Sequence, residues 1–270
     1  MSSTRNGTRT AGPHPASVGD WLLRGVSVQG YHHLSRGVEC QDAYRSVWVP
    51  SAGAWVVAVS DGAGSRSRAA EGSALAAGLA TSVFGMLLRN RGVPADAGAW
   101  KSMLTDGYLS LLTRFGRAVA QLGDEPGEFA ATLSVAIIAV PWVGVVSVGD
   151  SCLIIQAGEG LHLISLGERE SEYSNETDFL TSSEPLRRAV VRCIYEPELT
   201  GLFLSTDGLT PVATELDGEW LRPNPTFIDP LFQSVTSPDF DLTEIVRFLL
   251  HERIGATSGD DKTMVVAVAR

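Results

Sequence analysis

Acids stand beside apolar runs at four places in this sequence. The run from Trp55 to Val59 leads into Ser60 and Asp61, with Gly62 and Gly64 following. Val143 to Val148 leads into Gly149 and Asp150, and Leu202 to Leu204 leads towards Asp207 and Gly208. Near the end, Asp260 and Asp261 precede the run from Met264 to Ala269. Short apolar runs rich in Val read as buried strands. One antiparallel sheet system can bring four such strand ends to one rim. Carboxylates gathered there repel one another unless a cation sits among them. Oxygen-only ligation, without His or Cys, selects Mg2+, Mn2+ or Ca2+. Two such ions about 4 Å apart can clamp a phosphoryl group for in-line displacement. A residue as small as Gly62 beside the acid leaves its carbonyl open as a further ligand. Taken singly, each stretch reads more readily as a turn, because Asp-Gly after an apolar run is a turn signature. No His-Glu-x-x-His, Gly-x-Ser-x-Gly or P-loop is present, and Gly62 with Gly64 is too short for a dinucleotide fingerprint.

The elements that position these acids can be read in outline. A chain of 270 residues with 44% hydrophobic content suits one large domain, or at most two. Residues 1–19 are Ser, Thr, Arg, Gly and Pro with few apolar side chains, and are expected to be a disordered tail. Residues 20–270 are then the folded domain. Strands are expected at 21–29, 44–49 and 55–59, with a polar turn or loop at 30–37 and a hairpin turn at 50–53. Leu75, Leu79, Val83, Met86 and Leu87 recur at helical spacing, as do Trp100, Leu104, Tyr108, Leu111, Phe115 and Val119. Two long helices follow, able to cover one face of a sheet. Strands return at 129–140, 142–148, 152–156, 161–166, 189–195 and 201–205. Between them, residues 167–185 form a polar loop of functional length. Helices are expected at 226–234 and 242–250, the second capped by Asp241 with Glu244 at its third position.

Composition limits the function classes. A net charge of −10 without a Lys/Arg-rich run excludes a nucleic-acid partner. Cys40, Cys152 and Cys193 are odd in number and form no Cys-x-x-Cys, which fits free thiols in a reducing compartment. No apolar run approaches a membrane span, and no secretory signal opens the chain. A cytoplasmic protein without membrane contact is expected.

Six motifs in order carry a resemblance. They are Cys40-Gln41-Asp42-Ala43, Ser60-Asp61-Gly62-Ala63-Gly64-Ser65, Ala131-Thr132-Leu133-Ser134, Val148-Gly149-Asp150-Ser151, Ser205-Thr206-Asp207-Gly208 and Gly259 to Thr263. On these the chain resembles PPM/PP2C-type protein serine/threonine phosphatases of the bacterial branch. The resemblance implies an α+β fold, a four-layer α-β-β-α sandwich of two antiparallel sheets flanked by helices. It implies hydrolysis of phosphoserine and phosphothreonine by a water activated on two Mn2+ or Mg2+ ions, with no phosphoenzyme. Asp61 resembles the acid bridging the two ions, and Gly62 the residue lending its carbonyl. Asp207 and Asp260 resemble the remaining ligands of the first ion, and Asp42 the acid holding a water on the pair. Asp150, with Asp207, resembles a third-ion site. The catalytic set is then Asp42, Asp61 and Asp207. The substrate would be a phosphoprotein made by a Ser/Thr kinase, the protein a monomer, and the loop at 167–185 the family's variable flap.

The sequence departs from the family pattern at three positions. Gln41 stands where many members have Glu. Ala63 stands where eukaryotic members have a His proposed as general acid. Gly37 stands where the phosphate-binding Arg is expected, so Arg36 and His33 are the candidate phosphate ligands, with Arg66 and Arg68 as others. These departures support a second reading, a non-catalytic PP2C-like module that docks a phosphoprotein or a kinase. A sugar or nucleotide phosphatase would share the chemistry and differ in the flap.

Overall fold

Residues 54–60 are buried on both faces, so this strand needs packing partners above and below. Val56 and Ala58 pack into one apolar cluster, and Trp55, Val57 and Val59 into another. Alternation along one strand thus assigns it to two interfaces at once. The whole architecture follows from that double burial.

The computed structural model describes residues 16–18, 21–158, 160–164 and 177–270. In chain order the first elements are β1 (Ala16–Val18), β2 (Trp21–Val28), α1 (Tyr31–Arg36), β3 (Ala43–Val49), β4 (Ala54–Ser60), α2 (Ala69–Arg91) and α3 (Ala97–Leu122). There follow β5 (Leu133–Ala139), β6 (Trp142–Val148), β7 (Cys152–Ala157), β8 (Gly160–Ile164), α4 (Pro185–Arg188), β9 (Val190–Tyr195) and β10 (Leu199–Ser205). The chain continues with α5 (Thr210–Ala213), β11 (Thr214–Asp217), β12 (Trp220–Pro223), α6 (Pro225–Thr236), α7 (Leu242–Leu249), α8 (Glu252–Gly255) and β13 (Lys262–Ala269).

One sheet has the order β1-β2-β13-β10-β7-β8 and the other β3-β4-β5-β6-β9, both antiparallel throughout. Three cores separate four layers. Phe84, Leu88, Trp100, Leu104 and Leu111 of α2 and α3 pack on Val56, Ile137 and Val146 of the five-stranded sheet. Trp55, Val57, Ile138 and Val143 meet Leu153, Leu202, Leu204 and Val265 between the sheets. Ile228, Phe232, Val235, Ile245 and Leu249 of α6 and α7 cover Phe203, Ile154 and Val266 on the outer face of the six-stranded sheet. This is the expected α-β-β-α sandwich.

Several local expectations are corrected. Ala16–Val18, inside the stretch expected to be disordered, pairs antiparallel with β2, Val18 opposite Trp21. Three residues are too few for alternation to show in a sequence. The rest of that stretch, 1–15 and 19, lies outside the described residues. The segment expected to be a loop at 30–37 contains α1, closed by Gly37 at φ 67°. At six residues it has no room for an amphipathic repeat. The strand expected at 129–140 begins only at Leu133, because Pro126–Phe129 form a 3-10 turn. Residues 165–176, which include the end of the strand expected at 161–166 and most of the polar loop, lie outside the described residues. By length and composition α2, at 23 residues, could cross a membrane, contrary to the expectation from run lengths. Its Ala, Gly, Ser and Thr face is instead buried within the sandwich, where small side chains allow close approach to α3 and β3.

Candidate active site

Register brings the acids together in opposed pairs. In the five-stranded sheet Ala43 is opposite Ser60, so one step beyond the ladder Asp42 faces Asp61. In the six-stranded sheet Ser205 is opposite both Cys152 and Met264. Two steps beyond, Asp207 faces the turn that holds Asp150. Asp260 enters from the opposite side, just before β13. An antiparallel ladder puts residues equidistant from a matched pair across from each other, so strand ends collect what the motifs scatter along the chain.

The backbone around Asp61 is tied down on several sides. Its N–H donates to Thr132 Oγ1 at 3.0 Å, and its carbonyl accepts from Thr132 N at 2.8 Å. Gly62 N donates to the Gln41 carbonyl at 3.1 Å and bridges Ala131. A Cβ on Gly62 would stand 2.5 Å from the Ala69 carbonyl oxygen, so glycine is what lets this turn reach the start of α2. Asp42 is buried, and its Oδ2 accepts from Thr206 Oγ1 at 2.7 Å, a hydroxyl that itself accepts from Thr263 N at 3.1 Å. Lys262 Nζ donates to the Ser258 and Asp260 carbonyls at 2.8 and 2.7 Å and so holds the loop that presents Asp260.

The acids perturb one another. Burial, then the charge of Asp261, pushes the Asp42 carboxyl up. Burial, then Asp42 and Asp207, pushes Asp61 up further, with Asp260 adding to it. The Asp42–Asp61 pair therefore holds its protons more tightly than free carboxyls do. Asp207 is pushed up to about 7 by burial, then by Asp150 and Asp260. Among the described residues no Arg or Lys forms an ion pair with any of these five acids. The structure thus gathers Asp42, Asp61, Asp150, Asp207 and Asp260. Asp150 is the exposed member, with Oδ2 accepting from Thr177 Oγ1 at 3.0 Å.

The two expected phosphate ligands do not form a comparable group. His33 is 7% exposed, and its Nδ1 lies 2.8 Å from Asp261 Oδ2. It is engaged in holding the fold, with Nε2 turned towards Gly64. Arg36 is exposed in the last turn of α1 and forms no ion pair among the described residues.

Asp261 is the residue that sequence reasoning passed over. It is 1% exposed, and its two oxygens accept from Gly30 N at 2.6 Å, Gln41 N at 2.6 Å and His33 Nδ1. One carboxylate thus joins the end of β2, α1 and the segment carrying Asp42. The only sequence signal was a second acid after Asp260. Asp261→Asn would turn one acceptor into a donor facing an N–H. It is expected to cost about 2 kcal/mol of stability, read as a lower urea midpoint with an unchanged slope.

The donor set fits a hard cation. It is all oxygen, crowded with like charge, and the buried Gln41 Oε1 beside it has no hydrogen-bond partner. Among the described residues no three His, Cys, Asp or Glu side chains are already closed around one point. The acids are neighbours rather than a finished ligand shell.

The profile of the family described as protein phosphatase 2C matches residues 29–249. The chain belongs to the protein phosphatase 2C family. That family comprises serine/threonine phosphatases, typically dependent on Mn2+ or Mg2+. The match takes in Asp42, Asp61, Asp150 and Asp207 and stops short of Asp260. A curated relative, serine/threonine-protein phosphatase 3 of Escherichia coli strain K12, is 27% identical over 267 residues, 92% of this chain and 98% of the relative. Serine-threonine phosphatase 2C from Toxoplasma gondii superposes with a TM-score of 0.65 at 14% identity, covering 98% of this chain and 99% of that one. PppA, described as a regulatory component of T6SS in Pseudomonas aeruginosa, gives 0.54 at 20% identity over 94% and 99%. At these identities the two structures establish the fold of the protein phosphatase 2C family.

Within the family frame Asp150 separates two readings. Gly149 has φ 104°, and a Cβ there would meet Thr132 Cγ2 at 2.6 Å, so glycine makes this turn. Asp150 is not needed for that geometry, since Asn serves turns equally well. Asp150→Asn is therefore expected to leave the melting temperature unchanged. It should lower turnover at least about tenfold, equal to about 1.4 kcal/mol of barrier. Wild-type turnover in Asp150→Asn at both limiting and saturating Mn2+ would return Asp150 to the turn.

Proposed function

We propose that this chain hydrolyses phosphoserine and phosphothreonine esters on proteins with the help of two divalent cations, Mn2+ or Mg2+. The observation that carries this is the gathering of Asp42, Asp61, Asp150, Asp207 and Asp260 at one rim, where burial and neighbouring carboxylates push Asp42, Asp61 and Asp207 up and, among the described residues, no Arg or Lys closes an ion pair with them. Asp42, Asp61, Asp207, Asp260 and the Gly62 carbonyl would hold the pair, and Asp150 with Asp207 a third ion. When bound, such cations activate water as the nucleophile and offset the charge of a phosphoryl group. Thr132 fixes the Asp61 backbone, Thr206 fixes the Asp42 carboxylate, and Lys262 fixes the Asp260 loop. Ala63 offers no proton to a leaving group, and the nearby imidazole of His33 is held by Asp261. In this reading the alkoxide of serine or threonine takes its proton from solvent or from His33 Nε2, which the Asp261 bond at Nδ1 leaves open. The substrate is a product of a Ser/Thr kinase, and free thiols at Cys40, Cys152 and Cys193 fit the cytoplasm, where we place the protein as a monomer.

Hydrolysis of para-nitrophenyl phosphate and of a phosphothreonine peptide, with Mn2+ and then with chelator, tests the proposal. Turnover that requires Mn2+ is expected for both. Phosphopeptide binding without turnover would make the chain a docking module.

A further inference from the structure

A cavity of about 370 Å³ begins at Ala63, two residues along the chain from Asp61. Three short turns wall it. Arg66 N donates to Ala63 O at 2.8 Å in the first, Ala130 N to Gly127 O at 3.2 Å in the second, and Ser182 N to Phe179 O at 3.0 Å in the third. The third is locked again by Phe179 N donating to Ser182 Oγ at 2.9 Å. Hydrogen bonds tie these turns to the site. Ala63 N donates to Ala130 O at 2.9 Å on one edge of the segment at 130–132, and Leu180 N donates to Ala131 O at 2.9 Å on the other. The turns that wall the cavity are thus fixed by their own backbone bonds, and the cavity is preformed.

Among the described residues Arg66 is the one charged side chain lining it. Its guanidinium is half exposed and lies 3.7 Å from Glu128 Oε1. Glu128 is committed elsewhere, since its Oε2 accepts from Ser67 N at 3.0 Å and Ser67 Oγ at 2.8 Å. A long, exposed pair of that kind is weak, so an incoming anion can replace it. Arg68, two residues on, differs: it holds both oxygens of Glu71 and also meets Asp124. Arg188, near the third turn, pairs with Asp178 and donates to the Ser183 carbonyl.

Resting on the phosphatase reading above, we infer that this cavity is a substrate subsite for an acidic side chain flanking the phosphorylated residue, with Arg66 as its anion-binding group. Ala63 is two residues from Asp61, a span of at most about 7 Å, and a peptide covers the same distance in two residues. The acidic residue therefore stands one or two positions from the phosphoserine or phosphothreonine. The hydroxyls of Thr181 and Ser182 add polar lining, and the Phe179 ring receives the methylenes of a Glu or the face of a peptide group. In a chain of net charge −10, a local guanidinium is what makes an acidic peptide acceptable next to five carboxylates.

The test uses the full-length protein with Mn2+ and paired phosphopeptides that differ only in Asp against Asn at positions −2, −1, +1 and +2. The readout is the kcat/KM ratio within each pair. Wild type is expected to prefer Asp about fivefold or more at one of these positions, the size of a partly exposed charge pair. Arg66→Gln should bring that ratio to about one, the change falling on KM. No preference at any position overturns the inference, and so does a preference that survives in Arg66→Gln. Equal losses for both members of a pair would place Arg66 on the phosphoryl group instead and also overturn it. If neither para-nitrophenyl phosphate nor any peptide turns over, the phosphatase reading fails by itself. Fluorescence anisotropy of the same peptides then decides the subsite, since the Asp preference and its loss in Arg66→Gln must appear in binding.

Discussion

Asp61→Asn is expected to lower kcat at saturating Mn2+ by at least about a thousandfold, near 4 kcal/mol of barrier, while the protein stays folded. Asp61 stands at the centre of the cluster, feeling Asp42, Asp207 and Asp260 together. Its backbone is held by Thr132 and by the Gly62–Ala131 bridge, none of which depends on the carboxylate. The substitution therefore removes charge without removing the scaffold. Isothermal titration with Mn2+ should show weakened binding independently of any activity. In chelator the same substitution is expected to raise the melting temperature, because it relieves repulsion. The sign of the pH dependence follows from the raised carboxyls. Unfolded carboxyls release their protons near pH 4, whereas folded Asp42, Asp61 and Asp207 hold theirs to higher pH. The stability these groups contribute is complete below about pH 4 and is lost as pH rises, for Asp207 through about 7. An asparagine has no proton to lose. The melting-temperature advantage of Asp61→Asn in chelator should thus widen between about pH 4 and 7. A constant advantage across that window, or wild-type turnover in the variant, would remove Asp61 from the centre of the site.

Gly208→Ala is expected to be the most damaging single methyl group in the molecule's acid rim. A Cβ at that position would stand 1.9 Å from the Asp261 carbonyl oxygen. Both sides of the clash are backbone, so no side chain can swing away. Asp207 precedes this glycine, and its carboxylate accepts from the Gly208 N–H. Asp261 carries the bonds to Gly30, Gln41 and His33. Separating the two chains therefore displaces Asp207 and loosens the Asp261 junction together. Overpacking of this kind costs about 3 kcal/mol, and a misplacement near 1 Å can cost about a hundredfold in rate. A large fall in the urea midpoint together with at least that loss of kcat is expected. Wild-type stability in Gly208→Ala would mean that the turn after β10 can relax.

The strands, the long helices and four of the five clustered acids were legible in the sequence for one reason. Val-rich runs such as 55–59 and 143–148 announce buried strands, and Asp61, Asp150 and Asp207 stand within three residues of where such runs end. Asp260 stands just before one. Asp42 was legible only through the motif it shares with the family, because Cys40 and Gln41 form no apolar run. Register then did what spacing alone could not, placing Asp42 across from Asp61 and Asp207 across from the Asp150 turn.

The tertiary structure decided the rest, where the deciding partner is remote in sequence. Asp260 and Asp261 are adjacent identical residues, yet one joins the acid cluster and the other turns inward to Gly30, Gln41 and His33, more than 200 residues away. Arg66 and Arg68 look alike in the chain, but Arg68 is held by Glu71 three residues on and by Asp124 beyond two long helices, whereas Arg66, among the described residues, has only a long contact with Glu128. His33 read as a loop histidine able to meet phosphate, and burial against Asp261 gave it a structural bond. Helix α1 and the hairpin of β11 and β12 are too short for their own side-chain pattern to specify them. A residue's type and its near neighbours set its chemistry and its strand or helix preference. Which of several equivalent acids or cations stands free is set by charges that only the folded chain brings within a few ångströms.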